Sequence, residues 1–410
     1  MRVAVTGLGA LTPIGLGLRD LRQGLISGRD GVGPIAGFDA SRHRVRRAAE
    51  VRWSKPEGSP YSRATEMALC ATAAAMDDAG LERDALRADG TGVGVILASN
   101  QAGMPPSVPR YRALNHPYRR GPVPADQTTR QLDSAPTTTL DLLMLAVGGA
   151  GPSLTVSTAC SAGLHALGMA FDMLRQRQAQ VVIVAAVEVL TEAALAGFSV
   201  LRALTAGDAP RPFDARRDGT LLGEGAAALV LETYDAAAAR GARVWAEVAG
   251  YGSSTDAYHM TRPRAEGAAR AIAEALGAVA PDQVDWIKAH GTGTPANDAS
   301  EAQAIHTVFG ARAARLPVTS LKATLGHSLG ASGAVEAVAT VLALHGGFIP
   351  PTLNVDQPDP ACDLDLVTGG ARPLRARAVL ANAFGFGGNN AAVLFRSAGV
   401  PEDARGSHES

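Results

Sequence analysis

The chain has 410 residues, 46% of them hydrophobic and only 19% charged, the composition of a globular protein with a large interior rather than of a disordered chain. A formal net charge of -1 and a sequence pI of about 6.8 give no support to nucleic acid or an anionic membrane as partner. The three cysteines, Cys70, Cys160 and Cys362, are spaced for neither a disulfide framework nor a zinc cluster, so a reducing, cytoplasmic setting is expected. No stretch reads as a membrane span, and the scattered histidines form no metal motif.

In chain order, the first expected element is a buried strand from Arg2 to Thr6, followed by a glycine turn at Gly7 and Gly9. That turn is no dinucleotide fingerprint, because Thr12 stands at the third glycine position. Gly7, Gly9, Pro13 and Gly15 also break up what resembles a short signal peptide. Further strand-like runs fall at 92–98, 154–158, 181–186, 226–231, 244–250, 286–289, 318–321, 379–381 and 391–395. Helical runs fall at 64–79, 162–175, 267–276, 300–309 and 333–344. Their alternation predicts an α/β fold with a largely parallel core. The helices at 162–175 and 333–344 are apolar nearly all round, so a central place is expected for both. The segment RVAVTGLGALT near the start is echoed by RVWAEVAGYGSST at 243–255, which points to a duplicated fold with halves 1–243 and 244–400. The segments 101–129 and 347–363 read as loops, and 401–410 as a polar tail.

Cys160 lies in TACSAG, where a β-branched run ends and an apolar helix begins. A helix N-terminus favours thiolate over thiol, and thiolate is the nucleophile; a buried structural cysteine is the alternative. Four more segments carry chemistry. KAHGTGTPANDASEA holds His290, with Asp298 and Glu301 near the start of a helix. VTSLKATLGHSLGASG holds Lys322 and His327. NAFGFGGNNAAVLF interleaves Phe384 and Phe386 with glycines. RPFDARRDGTLLGEG contains Asp214 and Glu224, which read as loop ties. Gly326-His327-Ser328-Leu329-Gly330 fits the G-x-S-x-G pattern of serine hydrolases. Yet His345 precedes the candidate acids Asp356 and Asp359, and His408 lies in the tail, so the triad order fails.

Taken together, Cys160, His290, Lys322, His327 and the Phe/Gly loop resemble the β-ketoacyl synthases, of the type that elongates chains in fatty acid and type II polyketide synthesis. Five motifs occur in the family's order over residues 1–396. The resemblance implies the thiolase fold, two similar α/β halves stacked in five αβαβα layers, and a homodimer or a heterodimer with a related subunit. It implies an acyl carrier protein as partner, whose phosphopantetheine arm is the only prosthetic group, with none bound permanently. Cys160 would carry the acyl group. His290 and His327 would bind the malonyl thioester carbonyl. Lys322 with Glu336 would orient His327. Backbone N–H groups of Cys160 and Phe386 would form the second oxyanion site, with Phe386 as gate. Thr292, Thr294, Phe384, Gly385, Gly387 and Gly388 would contact the substrate arm.

Three other readings stay open beside this one. They are a non-catalytic chain-length subunit, a CoA-dependent initiating synthase or thiolase, and the serine hydrolase. Departures from the family pattern include Asn389 for Thr, Ser62-Arg63 for Asp-Arg, and Ala185-Ala186-Val187-Glu188 for Gly-Gly-x-Glu. The largest is the segment 98–120, which places Gln101 and Met104 as candidates for the acyl pocket. Arg63, Arg119, Arg120 and Arg202 are candidates for carrier docking.

Overall fold

The computed structural model describes residues 1–84, 86, 92–102 and 135–398. Met104, Arg119, Arg120 and the tail 401–410 lie outside them.

The first strand, β1 (Val3–Thr12), is fully buried along its length and continues through Gly7 and Gly9, with one register shift between Val5 and Gly7. The glycine turn expected there is therefore absent. The two glycines serve close packing instead. A Cβ on Gly7 would lie 2.2 Å from the carbonyl oxygen of Ala75, and one on Gly9 2.0 Å from that of Ala71. Both alanines belong to α2 (Arg63–Ala79, numbering α1 as Leu18–Ser27), whose backbone lies directly on the strand. The echoing segment does the same. It forms a strand over Ala246–Thr255, where Cβ atoms on Gly250 and Gly252 would meet the carbonyl oxygens of Ala275 and Ala271 at 2.0 and 2.1 Å. The repeated glycine pair is the imprint of one helix-on-strand contact made twice.

The N-terminal strands continue with β2 (Val93–Ala98), β3 (Ser153–Val156), β4 (Val181–Glu188) and β5 (Gly225–Thr233). The C-terminal ones are β6 (Ala246–Thr255), β7 (Trp286–Lys288), β8 (Pro317–Thr319), β9 (Asp365–Leu366), β10 (Ala378–Gly385) and β11 (Asn389–Ser397). Hydrogen bonding orders them β9-β8-β7-β10-β11-β6-β1-β5-β4-β2-β3. Outward from the β1–β6 pair, each half runs antiparallel, antiparallel, then parallel. The halves join where Val3, Ala4 and Val5 face Val248, Glu247 and Ala246.

Side chains alternate along each strand between two cores. Val182, Val184 and Ala186 of β4 point inward with Val379, Ala381 and Ala383 of β10. Ile183 and Ala185 face α2 and α3 (Pro136–Val147). Ala378 and Leu380 face the helices of the opposite surface. Between the two halves of the sheet lie α4 (Ala162–Arg175) and a later helix over Ser332–Gly346. Helix, sheet, helix pair, sheet and helix make five layers. The run Leu329–Gly346 does have the length and apolarity of a membrane span, against the sequence reading, but most of it is buried in the protein. The two central helices cross where Gly163 meets Gly333. A Cβ on Gly163 would sit 2.3 Å from the amide nitrogen of Ala334, and one on Gly333 2.6 Å from that of Leu164.

Candidate active site

Cys160 sits on an elbow between β3 and α4. Ala159 takes a φ of 52°, a region that costs a non-glycine residue energy and so marks a constrained turn. The three residues Ala159–Ser161 form one tight helical turn that leads into α4. The Ser161 hydroxyl donates back to the Thr158 carbonyl at 2.8 Å. The same elbow recurs in the second half, where Leu329 has a φ of 47° and Leu329–Ala331 leads into the other central helix. There Gly330 stands in the position of Cys160, and Ser328 lies before the apex. The G-x-S-x-G reading thus fails on geometry, because the elbow apex bears no side chain. The Ser328 hydroxyl lies 3.3 Å from that of Ser332.

His290 follows β7. Its backbone N–H and that of Gly291 donate to the two carboxylate oxygens of buried Glu301, each at 2.8 Å. Glu301 lies on α7 (Pro295–Phe309, numbering α5 as Glu192–Val200 and α6 as Ala265–Leu276). Asp298, one turn earlier, accepts from Phe213 N–H at 2.8 Å and Gly293 N–H at 3.2 Å. The acidic pair therefore shapes the loop that presents the histidine. Thr294 caps α7, and its hydroxyl lies 2.9 Å from that of Thr292.

His327 is pinned by its own Nδ1, which accepts the Leu329 N–H at 3.2 Å and lies 2.9 Å from the Ser332 hydroxyl. A backbone N–H only donates, so the ring proton is on Nε2. This corrects the expectation that Lys322 and Glu336 orient His327. Lys322 Nζ donates to Glu336 Oε1 at 2.6 Å, and both are buried. The two histidine rings stand 5.6 Å apart at 86°. Burial first, then the charge of Lys322, holds both imidazoles well below their ordinary range; Lys288 pushes the same way. Both rings are neutral donors near neutral pH.

The Phe/Gly loop closes the site. Gly385 passes so close that a Cβ there would lie 3.0 Å from the Thr158 carbonyl oxygen and 3.1 Å from the Cys160 nitrogen. Gly387 and Gly388 have φ values of 81° and 75°, which glycine adopts freely. Phe384 packs its edge against His290, with ring centroids 5.9 Å apart. Phe386 stacks on Phe198 of α5 at 5.6 Å and 28°, and Phe198 meets His327 edge-on at 6.2 Å. Sequence reasoning missed Phe198, since the helix that carries it was not foreseen.

Cys160, His290, His327, Thr292, Thr294, Phe384, Gly385, Phe386, Gly388 and Arg202 all border one cavity of about 280 Å³. Gln101 does not. Its side-chain oxygen accepts from the Thr191 hydroxyl at 3.1 Å. Arg63 is engaged within the fold: its guanidinium pairs with Glu224 at 2.6 Å and donates to the Val51 carbonyl at 2.7 Å. Asp214 and Glu224 are loop ties, as their sequence context suggested.

One sequence expectation is reversed in sign. Burial pushes the Cys160 thiol up to about 11, against the pull of Lys322 and of the Phe386 and Cys160 N–H groups. Near neutral pH the sulfur is therefore a thiol. Its alkylation by iodoacetamide is expected to accelerate about tenfold per pH unit from roughly pH 7 to 9.5 without a plateau. A rate that levels off near neutral pH would contradict this.

Five layers, a duplicated strand order and a cysteine on the N-terminal elbow of a buried helix define a thiolase-fold protein. The family description "Beta-ketoacyl synthase, N-terminal domain" matches residues 1–237, and "Beta-ketoacyl synthase, C-terminal domain" matches residues 245–356. The chain belongs to the β-ketoacyl synthase family. It is 40% identical to the 3-oxoacyl-[acyl-carrier-protein] synthase 2 of Synechocystis sp., over 96% of this chain and 98% of that one. The protein of the same name from Coxiella burnetii is 39% identical with the same coverage. Among solved structures, the ishigamide ketosynthase/chain length factor superimposes with a TM-score of 0.87 at 36% identity, covering 97% of this chain and 99% of that one. A type II polyketide synthase acyl-carrier protein in complex with its ketosynthase gives 0.88 at 30%, with the same coverage.

Proposed function

We propose that this chain is a β-ketoacyl-[acyl carrier protein] synthase, condensing an acyl group on Cys160 with malonyl-acyl carrier protein in fatty acid or type II polyketide elongation. The observation that carries the proposal is that Cys160, His290 and His327 open onto one cavity, with the Phe386 N–H directed at the cysteine sulfur.

The Cys160 thiol attacks the acyl thioester. A new thioester forms, and its proton leaves with the pantetheine thiol of the departing carrier. A malonyl thioester then enters the cavity past Thr292 and Thr294, which line it. Its C–C bond to the carboxylate breaks, CO2 leaves, and the electron pair becomes an enolate held by N–H donors from His290 and His327. The enolate carbon attacks the acyl carbonyl, whose oxyanion sits at the N–H groups of Cys160 and Phe386. Collapse breaks the C–S bond and releases the β-ketoacyl product, and the Cys160 thiolate takes a proton from solvent. Phe386, flanked by Gly385, Gly387 and Gly388, turns away from Phe198 to admit the acyl chain, and Phe384 backs His290. No resident cofactor is needed, since the pantetheine arm arrives with the substrate.

Arg202 at the cavity rim suits an acidic carrier. Gln101 follows β2 and lies within the segment 98–120 assigned to the acyl chain. A dimer with a second copy or a related subunit is supported by β3. Among the described residues it has a neighbour on one side only, and Leu154 is exposed. Three free cysteines suit a cytoplasmic location.

Intact-protein mass after mixing with carrier thioesters of short, long, saturated and unsaturated chains tests this reading. One acyl adduct is expected, absent in Cys160→Ala, and the preferred chain identifies the pathway. Absence of any adduct, with or without a related subunit, would overturn it in favour of a non-catalytic partner role.

A further inference from the structure

Lys288 is a second fully buried lysine beneath the site, and no step of the condensation described above passes through it. It is the last residue of β7, two before His290, and its charge acts on the His290 imidazole. Its Nζ donates to Glu336 Oε2 at 2.5 Å and to the Asn382 carbonyl at 2.7 Å. Glu336 takes Lys322 on its other oxygen at 2.6 Å. Nζ thus touches only acceptors, and Glu336 favours its ammonium form against the downward pull of burial. We propose that Lys288 is a positioning residue for the condensation: with Lys322 it brackets Glu336, and this buried lysine–carboxylate–lysine group keeps His290 and His327 as neutral hydrogen-bond donors. The inference rests on the reaction assigned above.

The charges around the histidines set the sign. From β7 comes Lys288. Lys322 comes from the short turn after β8, and Glu336 from the central helix Ser332–Gly346. Glu301 of α7 faces Lys288 and accepts from the His290 and Gly291 N–H groups and from Asn382 Nδ2 at 3.2 Å. Glu188, at the end of β4, faces Cys160 and is itself pushed up to about 8 by burial. Two ammonium groups therefore meet one shared carboxylate, and the second carboxylate is committed to backbone N–H groups. A third positive charge on either imidazole is repelled by both lysines. Removal of Lys288 leaves Lys322 and Glu336 as a balanced pair and takes away the smaller of the two lysine repulsions.

Protonation matters because Nδ1 of His327 accepts a backbone N–H. A proton there would set two donors against each other and turn the ring out of place. Nδ1 of His290 is buried without a partner, so a proton there would have no acceptor.

The test is the pH profile of malonyl-carrier decarboxylation for the wild type, Lys288→Met and Lys288→Arg. Lys288→Met is expected to move the acid limb up by about one pH unit or more. Activity would fall at least about tenfold near pH 6 and return towards wild type near pH 8.5, with Lys288→Arg restoring the wild-type limb. An equal loss at every pH would mark a merely structural lysine and overturn the inference. So would an unchanged profile. If Lys288→Met does not fold, ring-labelled histidine NMR of the wild type decides. The His290 and His327 resonances, assigned by their loss in single Asn variants, must stay neutral down to about pH 5. Titration of either near the ordinary 6.5 would overturn the inference. The double variant His290→Ala/His327→Ala separates the two levels. Wild-type decarboxylation there would remove the reaction assignment and this inference with it. Inactivity there beside an unchanged Lys288→Met profile would remove only the role of Lys288.

Discussion

Replacing His290 by alanine is expected to slow decarboxylation and condensation by ~10²–10³ while leaving acyl transfer onto Cys160 within a few-fold of wild type. The two half-reactions place their negative charge at different atoms. Acyl transfer develops an oxyanion at the N–H groups of Cys160 and Phe386, which belong to the backbone and survive the substitution. Decarboxylation develops an enolate between the two imidazoles, whose rings stand 5.6 Å apart. Each donor there is desolvated and fixed, so its loss costs more than a surface hydrogen bond. His327→Ala is expected to cost at least as much, because it also leaves the Leu329 N–H without its acceptor on the elbow. Carbon dioxide release from malonyl-carrier and single-turnover acylation followed by mass separate the effects. Equal losses in both assays would mean that the histidines serve the cysteine and not the malonyl group.

Gly163→Ala is expected to destabilise the protein by more than about 3 kcal/mol, beyond the usual range for an added core methyl. The added carbon would sit 2.3 Å from the amide nitrogen of Ala334, and Gly333 lies equally tight against Leu164. Neither neighbour is a side chain that can swing aside. Two rigid helices must separate, and the layers on both sides move with them. Gly197→Ala is the control. It lies within α5 with nothing within 4 Å of the new carbon, and a gain of roughly 0.5–1 kcal/mol is expected there from helix propensity. Thermal melts of the two variants give the comparison. A Gly163→Ala protein that melts with the wild type would mean that the central helices slide freely.

Most of the frame was legible in the sequence because the buried strands are near-continuous apolar runs and the central helices lack a polar face. Cys160, His290, Lys322 and His327 were legible as residues, since each stands in a distinctive short motif. Their surroundings were not. The thiol was expected to ionise at a helix terminus, but burial outweighs that pull, and burial depends on the loop at 385–388 folding across from the other half. Lys288 was not singled out in the sequence because its partner, Glu336, is 48 residues away. Gly7 and Gly9 read as a turn because local sequence gives no sign that a helix backbone will rest on them. Phe198 was invisible for the same reason, since its helix is apolar without a clear period.

The two elbows carry a last consequence. At Gly330 the space that a side chain would fill is taken, with Asn100 Nδ2 and Glu188 Oε1 both 2.9 Å from where a Cβ would be. Asn100 also reaches across, its amide donating to the Ala159 carbonyl at 3.1 Å and its oxygen accepting from Ser157 at 2.9 Å. The vacant apex of one repeat thus braces the occupied apex of the other. Neither repeat is a half-enzyme. Symmetrising the chain by restoring a cysteine to the second elbow would evict the brace of the first, so the twofold plan of the scaffold holds only while its chemistry stays one-sided.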